Sequence, residues 1–154
     1  MRKFEFIKIL ENKEGLKLPQ RSTKNSAGYD FYAIDDFEIP PYKLGNKPIM
    51  IPTGVKVQMP DDEFLMLVNR SSNPAKKNLI IPQGVGIVDS DYYGNPDNDG
   101  EMFFAYYNLS AETVVINKGE KIGQGIFMKY FVTDDDKADG ERLGRLSEVQ
   151  ENKI

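Results

Sequence analysis

Short apolar segments separated by turn-forming residues run through most of this chain, and they constrain its fold more than any other feature. Roughly ten such segments follow one another from 4–9 to 122–132, and Pro, Gly, Asn or Asp stands between successive ones. Segments of this length and spacing are typical of the strands of a sandwich, jelly roll or barrel. Only 71–78, with Pro74 in its first turn, is suited to a short helix. The sequence therefore predicts an all-β domain with one short helix.

Two local patterns carry more specific predictions. Gly28 interrupts the aromatic-rich segment 27–33, which indicates a bulge or a close approach of another group to the backbone. Residues 97–100 read Asp-Asn-Asp-Gly and predict a hairpin turn with positive φ. The acid-rich stretch around this turn does not fit a calcium loop, because Tyr93 takes a ligand position and Gly100 stands where the final Glu belongs.

Acidic residues are concentrated at the C-terminal end. Residues 133–154 hold seven of the 24 acidic residues but only four of the 20 basic ones, and they contain no aromatic residue. This composition is typical of a segment that does not build a packed core. We therefore predict a β domain over residues 1–132 and a flexible acidic tail over residues 133–154.

The composition also limits the chemistry and the partners. The 154 residues include no Cys and no His, which excludes thiolate nucleophiles, thiolate metal sites and a Ser-His-Asp triad. The net charge of −4 argues against a nucleic-acid partner. No apolar run approaches the roughly 18 residues that span a bilayer, and the charged N-terminus is unlike a signal peptide. We therefore expect a cytoplasmic protein that binds neither nucleic acid nor membrane.

Four segments place small or polar residues beside strand ends: 27–30 (AGYD), 70–74 (RSSNP), 84–94 (GVGIVDSDYYG) and 118–125 (KGEKIGQG). A carboxylate inside an apolar strand, as at Asp30, must be paired, hydrogen-bonded or close to an ion. A guanidinium followed by two hydroxyls, as in the second segment, can bind phosphate, although a helix N-cap beside a surface arginine explains the same residues. Turns and hairpins likewise explain the third and fourth segments when each is taken alone.

Together and in this order, the four segments resemble the first four motifs of the trimeric dUTP diphosphatase (dUTPase) family. AGYDFYA resembles the first motif, NRSSNP the second, GVGIVDSDYYGN the third and GEKIGQGIF the fourth, so the resemblance covers about residues 1–130. It implies a jelly-roll-like (β-clip) subunit and a homotrimer with shared active sites. The implied activity is the hydrolysis of dUTP to dUMP and pyrophosphate with Mg²⁺.

The resemblance also implies a role for each matching residue. Asp89 would activate the water that attacks the α-phosphorus, and Tyr92 would stack on the deoxyribose and exclude a 2′-hydroxyl. The backbone around Gly86 and the strand near 101–103 would recognise uracil, with Gln83 standing where many members carry Asn. Asp30 would act on magnesium indirectly, through water. The phosphates would be bound by Arg70, Ser71, Ser72 and Gln124. Residues 96–100 resemble an insertion.

The fifth motif of the family is not matched. That motif is a Gly-rich arm ending in Phe-Gly-Ser-Thr-Gly, whereas residues 147–151 read Ser-Glu-Val-Gln-Glu. Codons for the expected residues can encode these five when they are read one base out of frame, so we hypothesise a frameshift. Arg142 fits the beginning of the arm and is the remaining candidate phosphate ligand there. An open site admits water, so the resemblance with this defect implies slowed turnover.

Two other functions fit parts of the pattern. dCTP deaminases share the expected fold, but they typically carry an arginine in the region where Ala75 stands here. A non-catalytic jelly-roll trimer that binds a nucleotide or a protein would account for the missing arm.

Overall fold

The computed structural model describes residues 1–143 and 149–150, and within them it contains thirteen strands and one α-helix. The strands are β1 (Lys3–Phe6), β2 (Tyr29–Tyr32), β3 (Phe37–Ile39), β4 (Ile49–Pro52), β5 (Val55–Gln58), β6 (Glu63–Val68), β7 (Leu79–Ile80), β8 (Gly86–Asp89), β9 (Phe103–Asn108), β10 (Val114–Ile116), β11 (Lys121–Lys129), β12 (Glu141–Arg142) and β13 (Val149–Gln150). The helix α1 spans Ser72–Lys77, and 3-10 turns span Lys8–Leu10 and Ser90–Tyr92.

All strand pairs are antiparallel. The largest sheet has the order β2-β11-β6-β8, and a second sheet has the order β4-β9-β7. The remaining strands form the pairs β1-β5, β3-β10 and β12-β13. Neighbours in these sheets are often far apart in sequence, which is the arrangement of a jelly roll and not of a simple meander. The predicted all-β, jelly-roll-like fold is confirmed.

Aromatic side chains form the centre of the core between the two larger sheets. Phe31 of β2 meets Phe104 of β9 edge to face, with their ring centroids 5.4 Å apart, and both are almost completely buried. The central strand β6 alternates buried and partly buried residues along its whole length, as a strand with one face on the core must. A fully buried side chain of this size stabilises the fold by about 1.5–3 kcal/mol.

Several local predictions can be compared with the structure. Gly28 is a site of close approach, since an added Cβ would lie 2.1 Å from Gln124 Oε1. The first strand ends at Phe6, and the predicted continuation to Ile9 is wrong because Lys8–Leu10 form a 3-10 turn. The predicted hairpin at 97–100 is also wrong, because the flanking β8 and β9 belong to different sheets, although Asp99 and Gly100 do adopt positive φ.

The C-terminal segment contributes one strand pair. The backbone of Arg142 pairs with that of Val149, and Glu141 pairs with Gln150. Most of the replaced fifth motif, including 147–148 and 151, lies outside the described residues, and the flexible tail over 133–154 stays a prediction. No helix in the described part of the chain is long and apolar enough to cross a membrane.

Candidate active site

Five of the predicted site residues line one open cavity of about 300 Å³: Gln83, Gly86, Asp89, Tyr92 and Arg142. We call it the Tyr92 cavity. Strand β8 and the 3-10 turn after it supply one wall, and Glu101, Met102 and Phe103 supply the facing wall. The two backbone segments that the resemblance assigns to uracil recognition therefore lie in one pocket, even though they are not paired as a hairpin.

Two carboxylates at the rim of the Tyr92 cavity share one guanidinium. Arg142 Nη2 donates to Asp89 Oδ2 at 2.6 Å, and Arg142 Nε donates to Asp91 Oδ1 at 2.7 Å. The Arg142 side chain is only 14% exposed, while the two carboxylates are 53% and 57% exposed. Burial works to lower the pKa of Arg142, but the hydrogen bond to Asp91 and the two negative charges outweigh it and raise that pKa. Arg142 therefore stays charged beside the predicted base.

The Tyr92 phenol is held by hydrogen bonds. Tyr92 Oη donates to the Glu101 carbonyl at 2.9 Å, and Asn98 Nδ2 donates to Tyr92 Oη at 2.7 Å. The Glu101 carboxylate accepts a hydrogen bond from Gly54 N at 2.8 Å. Burial raises the pKa of the Glu101 carboxyl above its ordinary value, and the Gly54 hydrogen bond opposes that rise only in part.

A second group gathers at one end of β6 and β11, and we call it the Arg70 cluster. It consists of the predicted residues Asp30, Arg70, Ser71, Ser72 and Gln124, together with Lys121. Lys121 joins its parts, because its ammonium lies 3.1 Å from Asp30 Oδ2 and its carbonyl accepts from Arg70 Nη1 at 3.2 Å. Ser22 Oγ also donates to Asp30 Oδ2 at 2.6 Å, so the buried carboxylate is paired as expected. Gln124 lies opposite Asp30 in the strand register, in the space left by Gly28.

The helix α1, which begins beside Ser71 and Ser72, is attached to the core through Asn73. Ser71 is the N-cap residue but its side chain makes no capping hydrogen bond, so the capping explanation of this serine is not met. Asn73, which is 1% exposed, donates through Nδ2 to Asn69 Oδ1 at 2.8 Å and to the Ile122 carbonyl at 3.2 Å. The start of α1 is thereby attached to β11 beside the Arg70 cluster.

The structure does not bring the two groups together within one chain. Across β6, Phe64 pairs with Asp89 whereas Val68 pairs with Gln124. Four residues of strand amount to about 13 Å, and β8 and β11 flank β6 on opposite sides, about 10 Å apart. Arg70 continues beyond the Val68 end of the strand. The backbones of Asp89 and Gln124 therefore lie about 16 Å apart across the sheet. Gly86 pairs with Leu67 and lies closer to the Gln124 end than Asp89 does.

Sequence reasoning missed several residues that shape the site. Asp91 shares Arg142 with Asp89, and Lys121 neutralises Asp30, but neither residue was assigned a role although both lie in matched motifs. Asn98 was assigned only to a turn, yet it contacts the Tyr92 phenol. The one available signal was the charge of Lys121 within the fourth motif. The other contacts depend on loop conformation, which composition and spacing do not determine.

Few carboxylates are available in this site to hold a magnesium ion directly. In the described residues, no group of three or more Asp, Glu, His or Cys side chains is placed to hold a metal. The carboxylate of Asp30 already has one oxygen engaged by Lys121 and Ser22. Magnesium usually keeps several waters and binds through substrate phosphates with one or two carboxylates. The residues therefore fit an ion that arrives with a triphosphate and meets Asp30 through water.

Comparisons with known proteins agree with one another. The chain matches the dUTPase family over residues 14–148. It is 44% identical over 137 residues to the deoxyuridine 5′-triphosphate nucleotidohydrolase of Lactococcus lactis subsp. lactis, a match that covers 89% of this chain and 88% of that protein. The crystal structure of the dUTPase from Streptococcus mutans has a TM-score of 0.76 and 38% identity, with coverage of 85% of this chain and 98% of that one. The fold is also that of the dUTPase of S. aureus phage phi11, described with a structural Mg(II) ion, at a TM-score of 0.69, 19% identity and coverage of 90% and 97%.

Proposed function

This chain belongs to the dUTPase family and hydrolyses dUTP, and we propose that Asp89 activates the attacking water. One observation carries this assignment: Asp89 stands at the exposed rim of a cavity whose walls are the backbone around Gly86, the backbone of 101–103 and the ring of Tyr92. A carboxylate so placed can reach water and a bound phosphate at the same time.

In the proposed reaction, Asp89 accepts a proton from water as the water oxygen attacks the α-phosphorus. The bond between that phosphorus and the oxygen leading to the β-phosphate breaks, so that dUMP and pyrophosphate form. General-base catalysis by one carboxylate contributes about 10²–10⁴ in rate. Positioning of the reactants and neutralisation of phosphate charge supply the rest, and both are available without histidine. Magnesium bound to the phosphates adds charge neutralisation.

Substrate selection is assigned to the walls of the Tyr92 cavity. The backbone near Gly86 and along 101–103 offers fixed donors and acceptors to the uracil edge, and Gln83 lies at the same pocket. Cytosine reverses one donor and one acceptor, and a site built for one pattern rejects the other by about 10⁴ or more. The Tyr92 ring stacks on the deoxyribose, where a 2′-hydroxyl would collide with it.

Because the backbones of Asp89 and Gln124 lie about 16 Å apart in one chain, we assign phosphate binding to a neighbouring copy. Arg70, Ser71, Ser72 and Gln124 of that copy contact the phosphates, and its Asp30 holds waters of the magnesium ion. A ring of three copies completes each site in this way. The exposed side chains of Met50 and Ile87, 55% and 56% exposed beside the cavity, are apolar surface that such an assembly covers.

The assignment of Asp89 is tested with a matched pair of variants. Asp89→Asn and Asp91→Asn remove the same charge, and both remove one partner of Arg142. We expect pyrophosphate release from dUTP and Mg²⁺ to fall by about 10²–10⁴ in Asp89→Asn and by less than tenfold in Asp91→Asn. Equal losses in the two variants would contradict a special role of Asp89. In ¹⁸O-water the label should appear in dUMP, and label in pyrophosphate would exclude attack at the α-phosphorus.

The same assay addresses the rival activities, because dCTP is included as a second substrate. Formation of dUTP from dCTP would indicate a deaminase, and binding of dUTP without any product would indicate a nucleotide-binding trimer.

The shared site is tested by mixing two inactive variants. Asp89→Asn and Arg70→Ala chains are co-expressed, so that mixed trimers contain intact sites with Asp89 from one copy and Arg70 from the next. In an equal mixture about a quarter of the sites are intact, and activity should recover to that level. If every site were built within one chain, the mixture would show only the residual activity of the two variants. Mass measurement of the purified protein gives the number of copies directly.

We further propose that the replaced fifth motif limits turnover. Residues 143–154 contain no aromatic residue to cover the base and only one glycine, and Arg142 is the one residue of the arm at the Tyr92 cavity among those described. Replacing 143–154 with a Gly-rich segment that carries Phe-Gly-Ser-Thr-Gly should raise kcat, because a covered site excludes water and adds phosphate donors. A scrambled segment of the same composition is the control. No gain over that control would refute the proposal.

A further inference from the structure

The loop between the two walls of the Tyr92 cavity carries an amide that touches both of them. Asn98 Nδ2 donates to Tyr92 Oη at 2.7 Å and lies 3.4 Å from the Glu101 carbonyl, to which Tyr92 Oη also donates at 2.9 Å. The phenol oxygen, the amide nitrogen and the carbonyl oxygen thus form a closed triangle. It joins the ring assigned to the sugar with the backbone assigned to the base.

Hydrogen bonds within the loop stabilise the segment that carries Asn98. Asn98 Oδ1 accepts from Gly100 N at 3.2 Å, and the Asn98 carbonyl accepts from Glu101 N at 3.1 Å. Gly100 has a φ of +86°, and a Cβ there would lie 2.6 Å from the Tyr92 carbonyl. The turn therefore requires glycine at this position and lies close against the backbone of Tyr92.

The loop is also attached to the domain away from the cavity. Asp99, at a φ of +61°, accepts from Lys8 N at 2.9 Å and from Lys56 Nζ at 2.8 Å. The Lys56 side chain is 13% exposed and that of Asp99 is 35% exposed, so this ion pair is partly shielded from solvent. The loop is thereby attached to the domain at Asp99, the residue after Asn98, and the hydrogen bond from Lys8 N does not depend on Lys56.

We propose that Asn98 is a positioning residue that sets the sugar selectivity of this enzyme by fixing the Tyr92 ring. The inference rests on the proposed role of Tyr92 against the deoxyribose. A single hydrogen bond to Glu101 leaves the phenol free to swing about that one contact, whereas two contacts from different directions hold it in place. A ring that moves away makes room for a 2′-hydroxyl, so loss of Asn98 should favour ribonucleotide more than it harms deoxyribonucleotide.

The test is a double-mutant cycle between Asn98→Ala and Tyr92→Phe, read as the ratio of kcat/KM for dUTP to that for UTP. One hydrogen bond is equivalent to a factor of about ten, so Asn98→Ala should lower the ratio about tenfold. Tyr92→Phe should lower it at least as much, because it removes both contacts of the phenol. Adding Asn98→Ala to Tyr92→Phe should change the ratio less than twofold.

Lys56→Met is the control for a purely structural effect. It removes the Asp99 anchor of the same loop without touching Asn98, so we expect a lower Tm and a ratio within twofold of the wild type. A fall of the ratio in Lys56→Met equal to that in Asn98→Ala would show that general loop order is responsible, and would overturn the proposal. The proposal would also be overturned if Asn98→Ala lowered the ratio as much in the Tyr92→Phe background as it does in the wild type.

A binding measurement separates this inference from the proposed reaction. The dissociation constants of the α,β-imido analogues of dUTP and UTP are measured for the same variants by calorimetry. If the wild type releases no pyrophosphate but binds the analogues, the reaction assignment fails, while the ratio of the two constants still supports or overturns the role of Asn98. If neither analogue binds, both proposals are wrong.

Discussion

The buried amide of Asn73 allows the connection between the core and the Arg70 cluster to be measured. Asn73 Nδ2 and Tyr106 Oη both donate to the Ile122 carbonyl, and the amide nitrogen also lies 3.4 Å from Tyr106 Oη. Both side chains are at most 1% exposed, and burial raises the pKa of Tyr106, so the phenol remains a neutral donor. Either donor can satisfy the Ile122 carbonyl when the other is missing.

This redundancy predicts that two substitutions are not additive. Tyr106→Phe removes one hydroxyl and should cost about 1 kcal/mol, the net value of one hydrogen bond. Asn73→Ala should cost about 2–3 kcal/mol, because it also removes the contact of α1 with Asn69 and leaves a small cavity. The double variant deprives the Ile122 carbonyl of both side-chain donors, so its cost should exceed the sum of the single costs by about 1–3 kcal/mol.

Urea denaturation at one fixed protein concentration measures the four free energies of unfolding, since the stability of an oligomer depends on concentration. The KM for dUTP is measured on the same proteins. It should rise for Asn73→Ala, which loosens the helix that carries Ser71 and Ser72, and stay nearly constant for Tyr106→Phe. A double variant that is additive within about 0.5 kcal/mol would refute the idea that the two donors share one acceptor.

Three further predictions follow from the site. Arg142→Ala should raise the KM for dUTP about tenfold, because it removes a charge-assisted hydrogen bond to phosphate. The Tm should change little, because the carboxylates that pair with Arg142 are more than half exposed. A steady-state titration measures the KM and a melting curve measures the Tm. Gly28→Ala should raise KM as well, because the new Cβ displaces the Gln124 amide, and an unchanged KM would remove Gln124 from the site. Glu101→Gln should raise the free energy of unfolding at pH 7, because burial holds the pKa of this carboxyl above its ordinary value and its ionisation therefore destabilises the folded state. The gain should vanish below about pH 4, where the carboxyl is protonated in the folded and unfolded protein alike, and denaturation at both pH values measures it.

Strand content was predictable from sequence because most strands here have one face on the core. The alternation in β6 and the aromatic residues of β2 and β9 are direct consequences of that burial. The short strands β3, β12 and β13 were missed, since two or three residues are too few to show a period. The pairing of strands was not predictable in the same way, and the supposed hairpin at 97–100 failed because a positive-φ turn can also lead a chain from one sheet to another.

Partners of individual site residues were less predictable than their positions. The expectation that Asp30 must be paired followed from the cost of burying a charge, but Lys121 could not be identified from it, because the pair is formed by the register of β2 against β11. The contact of Asn98 with Tyr92 likewise depends on the left-handed conformations of Asp99 and Gly100. Chemistry determines that a partner must exist, and topology determines which residue it is.

The separation of Asp89 from the Arg70 cluster likewise depends on strand register and not on residue chemistry. Most of the candidate residues lie in four segments that the resemblance groups together, and nothing in their order indicates that Asp89 and Gln124 lie at different positions along β6. The strand register does indicate it, since Asp89 and Gln124 pair with residues four positions apart on that strand. A single chain therefore holds every predicted group except the fifth motif, but its Asp89 pairs at the Phe64 end of β6 while Gln124 pairs at the Val68 end. Our proposal that a second copy brings its Arg70 cluster to the Tyr92 cavity accounts for this separation, and the recovery of activity in mixed Asp89→Asn and Arg70→Ala assemblies tests it directly.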